Sequence, residues 1–500
     1  MVANNFRICP VDGKLSKAHK ILQFKSDIIE IENYGIFNQN VENEFDALSN
    51  RHLGFNTRPM LFSDIVLLND QYDLIADSIK DVHYQPLSHT DLIKSKSGPL
   101  RKRYDKVYKA LLDGERIRHK VEAFIKHERF TEEKLETKPP RLIQHRSYEF
   151  VYLLNKYLQP LDKALMNSDN LVGEQTIRSH FGKAKSMEDI GEQIHELWKE
   201  FENPVALCVD QKVFDAHYMV AHHLGEQRIY RQFKEIKDNI GFLLDKLYYP
   251  CQAVTQCGIS YTIRGERCSG EYTTSMGNSC TNIAIIRSVM ILNNINKFRI
   301  VVNGDDSIIL IEQKDLAGFN VNLFRRFGMD PKLDRVAFTM EEIEFCQCSP
   351  ILFNGKYKLI RNPSRVIGKA CLMIGDYAKC IDRYIASIGL CELALNAGTP
   401  VLQDFALCLI ALSNGARPLD SCVDYKARFE PKLDVKAIGL DSRVSFENAF
   451  NISVADQIKL ETDLKAIVKS IGKNLQSKNN IKQFIEKYNK FHIRKRDINV

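Results

Sequence analysis

Residues 298–311 read FRIVVNGDDSIILI, two apolar runs joined by Asn303-Gly304-Asp305-Asp306. Asn-Gly between apolar runs is the strongest short-range hairpin signal, because both residues tolerate the positive φ of a tight turn. The spacing predicts an antiparallel hairpin with two carboxylates, Asp305 and Asp306, in its turn. Adjacent like charges on a tight turn repel unless a cation sits between or above them. A divalent metal is one solution, and simple solvation of a surface turn is the other. The second reading weakens once residues 204–215, PVALCVDQKVFD, are considered. Val205 to Val209 is an unbroken apolar run of buried-strand length that stops at Asp210, with Asp215 five residues later. In one sheet with the hairpin, this strand would bring Asp210 close to Asp305. Carboxylates converging from separate strands suit two-metal phosphoryl or nucleotidyl transfer.

A third segment, SGEYTTSMGNSCTNIAII at 269–286, lies between these two. Together the three resemble motifs A, B and C of viral RNA-dependent RNA polymerases. Asp210 and Asp215 stand at the D-x4-D spacing, Ser269-Gly270, Thr274 and Asn278 fit SGxxxTxxxN, and Gly304-Asp305-Asp306 is the third match. KPPRLIQHRS at 138–147 resembles the basic motif F, with Lys138, Arg141 and Arg146 at its cationic positions, and FIKHE at 124–128 is similar to the element preceding it. GMDPKLD resembles motif D with Lys332 as its lysine, and EFCQCSP at 344–350 resembles motif E. The wording of these blocks is nearest to the tombusvirus-like polymerases of positive-strand RNA viruses. It covers about 124–363, and no family pattern is read before about Ala47 or after about Arg365.

The resemblance implies an α+β right-hand polymerase with fingers, a palm built on an antiparallel sheet, and a helical thumb. The expected divisions are 1–203 for an N-terminal region and fingers, 204–225 and 269–353 for the palm, 226–268 for a fingers insertion, and 354–500 for the thumb and a basic tail. It implies RNA-directed RNA synthesis by nucleotidyl transfer. Asp210 and Asp305 are expected to bridge two Mg²⁺ ions, for which Mn²⁺ substitutes, with Asp306 as a weaker, water-mediated ligand. Asp215 and Asn278 are expected to hydrogen-bond the ribose hydroxyls, supported by Ser269, Gly270 and Thr274. Read alone, Asn278 is equally a helix-surface amide and Ser269 a helix cap. Lys138, Arg141 and Arg146 are expected to hold the triphosphate. Lys332 is either the proton donor to pyrophosphate or an ordinary loop residue after Pro331. The implied partners are template and nascent RNA, nucleoside triphosphates and a membrane-anchored viral replication protein. The implied setting is the host cytoplasm, peripheral at membrane-bound replication sites. A reverse transcriptase would carry an aromatic steric gate where this chain has Asp215. An inactive RNA-binding replication factor would not need Asp210, Asp305 and Asp306 together.

The remaining features agree with this reading. The net charge of +7 is modest, but Lys and Arg concentrate at 94–146 and 473–496 while the expected metal strands carry Asp. That split suits a polyanion channel leading to a metal site. The tail from Lys473 to Arg496 either tracks RNA phosphates or is a solvated helix end. Thirteen cysteines without a CxxC pair read as reduced core residues rather than a disulfide or zinc framework. No stretch reaches the roughly 20 apolar residues of a membrane span, and 405–412 reads as a short core helix. Helices are expected at 100–125, 226–248, 273–293, 316–327, 370–395 and 455–488, and a strand pair within 338–353. Gly277 interrupts the 273–293 helix at a cost of about 1 kcal/mol relative to Ala. Either close approach of the template or tight packing on the sheet would account for it.

Overall fold

The apolar run at 205–209 becomes an inner strand because its neighbours cover both of its faces. In the computed structural model, which describes residues 7–8, 18–53, 59–96, 98–375, 377–419, 422, 427, 430 and 433–472, four strands form an antiparallel sheet. They are β1 (Pro204–Gln211), β2 (Phe298–Asn303), β3 (Asp306–Glu312) and β4 (Pro331–Ala337), in the order β2-β3-β1-β4. Ser307 pairs with Val209 and Glu312 with Pro204, so the end of β1 meets the β2–β3 turn. Successive side chains alternate between faces. Val205, Leu207, Val209, Ile309 and Ile311 enter one core, and Ala206, Cys208, Ile308 and Leu310 enter another.

Four helices pack around this sheet: α1 (Phe62–Asp77), α2 (Met187–Trp198), α3 (Val220–Arg231) and α4 (Thr274–Leu292). Helix α4 is buried without interruption from Met276 to Met290, as expected of a helix enclosed on all sides rather than one with a single apolar stripe. It shares the first core with α1, α3 and the odd-numbered side chains of β1 and β3. Helix α2 covers the opposite face with Met187, Ile190 and Ile194.

A second sheet runs Arg7–Ile8, Ile259–Ile263, Cys251–Thr255, Val121–Ile125, Leu142–His145. It therefore joins strands from both sides of β1 in the sequence. The N-terminal strand Ala18–Lys20 pairs with Leu372–Ile374. Ile29 packs into a third core with the helices Leu402–Leu412, Leu440–Phe450 and Val454–Gly472. Buried thiols such as Cys208, Cys280 and Cys408 fill these cores. Among the described residues no helix is long and apolar enough to cross a membrane.

Several expected elements differ from those observed. The helix expected over 100–125 spans Gly98–Leu112 and stops at Gly114, whose φ is +80°; Val121–Ile125 is instead a strand, drawn into the second sheet by its partners. The stretch 226–248 is two helices, α3 and Lys234–Asp245, because buried Phe233 takes an extended conformation between them. The 316–327 region is two 3₁₀ segments, Gln313–Gly318 and Val321–Phe327, closed by left-handed Gly328. Lys332 lies on β4 and not in a loop. The strand pair is Cys348–Phe353 with Lys356–Arg361, joined by Asn354-Gly355 with both residues at positive φ. That Asn-Gly carried the type I′ signal of the hairpin. Residues 370–395 divide into a strand at Leu372–Ile374 and a helix at Ile381–Asn396. The helix expected to reach 488 is described as far as Gly472, and the basic tail from 473 lies outside the described residues.

Candidate active site

The β2–β3 turn is not the turn its Asn-Gly suggests. Asn303 pairs with Asp306, which leaves Gly304 and Asp305 as the two loop residues. Gly304 has φ +70°, and Asn303 does not share a positive φ; glycine first in a two-residue loop is the type II′ pattern. The turn thus contains one carboxylate, Asp305, while Asp306 begins β3 and is exposed.

Strand β1 brings Asp210 to the same end of the sheet. Val213, left-handed at φ 51°, then opens the short helix Phe214–His217 that carries Asp215. The loop before α4 arrives through Gly270, at φ +125°, where a Cβ would lie 2.9 Å from Ile143 Cγ2 and 3.1 Å from the Gln144 carbonyl. Only glycine allows both that backbone and that approach. Gln144 N–H donates to the Ser269 carbonyl at 2.7 Å, fastening the loop to the strand that follows Arg141.

These segments enclose a cleft of about 400 Å³. Of the expected site residues, Arg141, Asp210, Asp215, Ser269, Gly270, Thr274, Asn278 and Asp305 line it. Asp215 is held on both oxygens: Asn278 Nδ2 donates to Oδ1 at 2.7 Å, and the Ser269 hydroxyl donates to Oδ2. Asn278 is therefore a buried participant and not a helix-surface amide. Thr274 Oγ1 accepts from Gly270 N–H at 3.3 Å and donates to the Cys268 carbonyl at 3.0 Å, bracing the loop.

Four expected residues lie off the cleft wall. Arg146 is 2% exposed and pairs with Glu271 at 2.5 Å, while its other nitrogens donate to the His119 and Lys246 carbonyls. Its guanidinium is committed to the interior and is not presented to a triphosphate. Lys138 is exposed at the end of the helix Glu132–Thr137. Lys332 stands opposite Asp210 across the β1–β4 register and pairs with Asp334. Asp306 is exposed on β3, because the two-residue turn ends before it.

Burial raises the carboxyls of Asp210 and Asp305 above the ordinary range. Asp334 adds to the effect at Asp210, and Asp215 at Asp305, while Arg141 opposes it at both. Partly desolvated carboxylates that repel one another are stabilised in the ionised form by a hard cation, and a lining of carboxylate oxygens suits Mg²⁺ or Mn²⁺. His52 lines the cleft, but its Nε2 accepts from Leu142 N–H at 3.2 Å and is not available as a ligand. Among the described residues the one tight group of three possible ligands is Glu192, His195 and Glu196 on α2, away from this cleft. Glu192 there accepts the Tyr357 N–H.

Other participants were not read from the sequence. Arg51 and Lys126 also line the cleft. Burial and Arg141 hold the Arg51 guanidinium down to about 10. Arg51 carried no signal, since its place depends on how the N-terminal region packs. Ser279 and Asn282 had one: each stands four residues after an α4 residue on the cleft wall, Ser275 and Asn278, and so faces the same way. Ser279 Oγ accepts from Gly304 N–H at 2.9 Å. Asn282 Nδ2 donates to the Gly304 and Asp305 carbonyls at 3.0 and 3.1 Å, and its Oδ1 accepts from Gln211 Nε2 at 2.6 Å.

The family pattern described as viral RNA dependent RNA polymerase matches residues 10–470. The match extends beyond both ends of the 124–363 range read from the motifs. An RNA-directed RNA polymerase of Oat chlorotic stunt virus is 29% identical over 76% of this chain and 54% of the relative. One from Groundnut rosette virus is 26% identical over 86% and 52%, and one from Tomato bushy stunt virus is 28% identical over 68% and 42%. The chain spans about half the length of the curated relatives it matches.

Proposed function

Because the chain belongs to the viral RNA-dependent RNA polymerase family, we propose that it carries out template-directed RNA synthesis, joining ribonucleotides along an RNA template during replication of a viral RNA genome. The observation that carries this reading is the single cleft shared by Asp210, Asp305, the Asp215–Asn278–Ser269 cluster and the cations Arg141, Arg51 and Lys126. The divisions into fingers, palm and thumb that the motifs imply are proposed with it, with the four-stranded sheet as the palm.

Asp210 and Asp305 would hold two Mg²⁺ ions, with Asp306 contributing through water. When bound, such ions lower the charge barrier at the attacking 3′-hydroxyl and at the leaving pyrophosphate. The chain's own residues bind and orient the reactants. Arg141, joined by Arg51 and Lys126 in the same cleft, is proposed to hold the triphosphate. Asp215 and Asn278 present an acceptor and a donor to the ribose, and a 2′-hydroxyl can satisfy both. Ser269, Gly270 and Thr274 keep that pair in register. Lys332 is proposed to give a proton to pyrophosphate, which requires it to leave Asp334. Template, nascent RNA and nucleoside triphosphates are the direct partners. A membrane-anchored viral replication protein is proposed to bring the chain to replication sites in the host cytoplasm.

The test is incorporation of labelled ribonucleotides by the purified chain on a defined RNA template with Mg²⁺ or Mn²⁺. Template-dependent product is expected. Binding of RNA without synthesis under any divalent cation would favour the inactive replication factor, and preferential use of deoxynucleotides would favour a reverse transcriptase.

A further inference from the structure

Arg267 is among the largest fully buried side chains of the described residues, at 1% exposure, and lies two residues before Ser269. Each of its three nitrogens has a different partner. Nε donates to Asn278 Oδ1 at 3.0 Å, Nη1 donates to Thr273 Oγ1 at 2.7 Å, and Nη2 donates to Glu226 Oε2. Its own N–H donates to the Asp215 carbonyl at 2.9 Å. The guanidinium lies 4.1 Å from the centre of the Tyr218 ring.

Glu226, on α3, is equally constrained. It accepts from the hydroxyls of Tyr218 and Tyr230, each at 2.7 Å. It also occupies the space beside Gly277, where a Cβ would stand 2.2 Å from Oε1. The absence of a side chain in the first turn of α4 is what admits this carboxylate.

An arginine side chain has donors only. It therefore accepts Asn278 in one orientation, with Oδ1 toward Nε, and this aims Nδ2 at Asp215. We propose that the buried Glu226–Arg267 pair is the positioning element for sugar selection: it locks the Asn278 amide so that its donor stays directed into the cleft when Asp215 exchanges its present bonds for a ribose hydroxyl. Without Nε the amide is free to rotate once Asp215 turns to the sugar, and the contact made only by a ribonucleotide is weakened. Arg267 is not itself a catalytic residue, since Asn278 stands between it and the cleft.

The inference rests on reading Asp215 and Asn278 as ribose contacts, and the experiment separates the two. The wild-type chain is first assayed with ribo- and deoxynucleotides on an RNA template. Failure to incorporate either, or equal use of both, removes the polymerase or ribose reading before any variant is made. With that established, Arg267→Lys keeps the charge for Glu226 and loses the Nε donor. The ratio of kcat/KM for ribo- over deoxynucleotide should fall by about tenfold to a hundredfold, carried by a higher KM for the ribonucleotide, with incorporation of deoxynucleotide close to wild type. The double variant Glu226→Gln with Arg267→Gln, which leaves no uncompensated buried charge, should show the same loss. Thr273→Val removes the Nη1 partner alone and should retain the preference. An unchanged ratio in folded Arg267→Lys, an equal loss on both sugars, or failure of both Arg267 variants to fold would each overturn the proposal and assign the pair to packing of α3 on α4.

Discussion

Asp305, a half-buried residue lining the cleft, occupies the second position of a two-residue turn, with its backbone carbonyl held by Asn282. Replacing its carboxylate removes a proposed metal ligand on that turn. Asp305→Ala is expected to lower nucleotide incorporation by at least about a hundredfold, with the thermal midpoint unchanged to within about 2 °C. Differential scanning fluorimetry beside the incorporation assay checks both halves, and substantial residual synthesis would remove Asp305 from the metal site. Gly277 offers a test in which two effects of opposite sign compete. Alanine raises helix propensity by about 1 kcal/mol, but its Cβ would stand 2.2 Å from the Glu226 carboxylate. Displacing a buried, fully bonded carboxylate costs about 1–3 kcal/mol as overpacking alone. Gly277→Ala should therefore lower the thermal midpoint; a rise would mean that Glu226 yields easily.

At the scale of the element, α4 ties the separate parts of the site together. Its first turns carry Asn278 to Asp215, Ser279 to Gly304 and Asn282 to the turn carbonyls, while Gln211 at the end of β1 bonds to Asn282. The distance between Asp210 and Asp305 is thus set from the helix as well as from strand pairing. Asn282 is fully buried, so Asn282→Ala leaves the Gln211 amide and two carbonyls short of a partner. A loss of about 2 kcal/mol or more in stability is expected, since each unsatisfied buried group costs about 1–3 kcal/mol. Turnover at saturating nucleotide should fall further than KM changes, because the variant loosens the turn without touching the residues proposed to contact the ribose and the triphosphate. A KM effect alone would show that Asn282 does not hold the turn.

Over the whole molecule, several buried histidines make the fold sensitive to acid. His222 accepts the Met219 N–H on Nδ1 at 2.9 Å and donates from Nε2 to the Phe327 carbonyl at 3.1 Å, an arrangement open only to the neutral ring. Burial, with Arg267 nearby, pushes it down to about 3, and burial does the same to His180. Above pH 6.5 neither the folded nor the unfolded ring binds a proton. Below it the unfolded ring does and the folded one does not, so stability is lost as pH falls toward 3, by about 1.4 kcal/mol per pH unit for each ring. His222→Gln preserves one acceptor and one donor without titrating. The stability gap between wild type and this variant, measured by denaturant unfolding, should shift in favour of the variant by about 1.4 kcal/mol per unit below pH 6.5; a constant gap would place the His222 proton elsewhere. What the sequence by itself determined was local. The apolar runs that became β1, β2 and β3 and the glycine-bearing turn could be read because period and turn chemistry are properties of neighbouring residues, whereas Asp210, Asp215, Asn278 and Asp305 were singled out together by the family resemblance of their motifs. The type of the turn, the strand at Val121–Ile125, the burial of Arg146, and the arrival of Arg51 and Arg267 at the site were decided by tertiary structure. Each depends on which surfaces pack together across hundreds of residues, and a side chain's partner, once buried, fixes whether a cation faces the cleft or the interior.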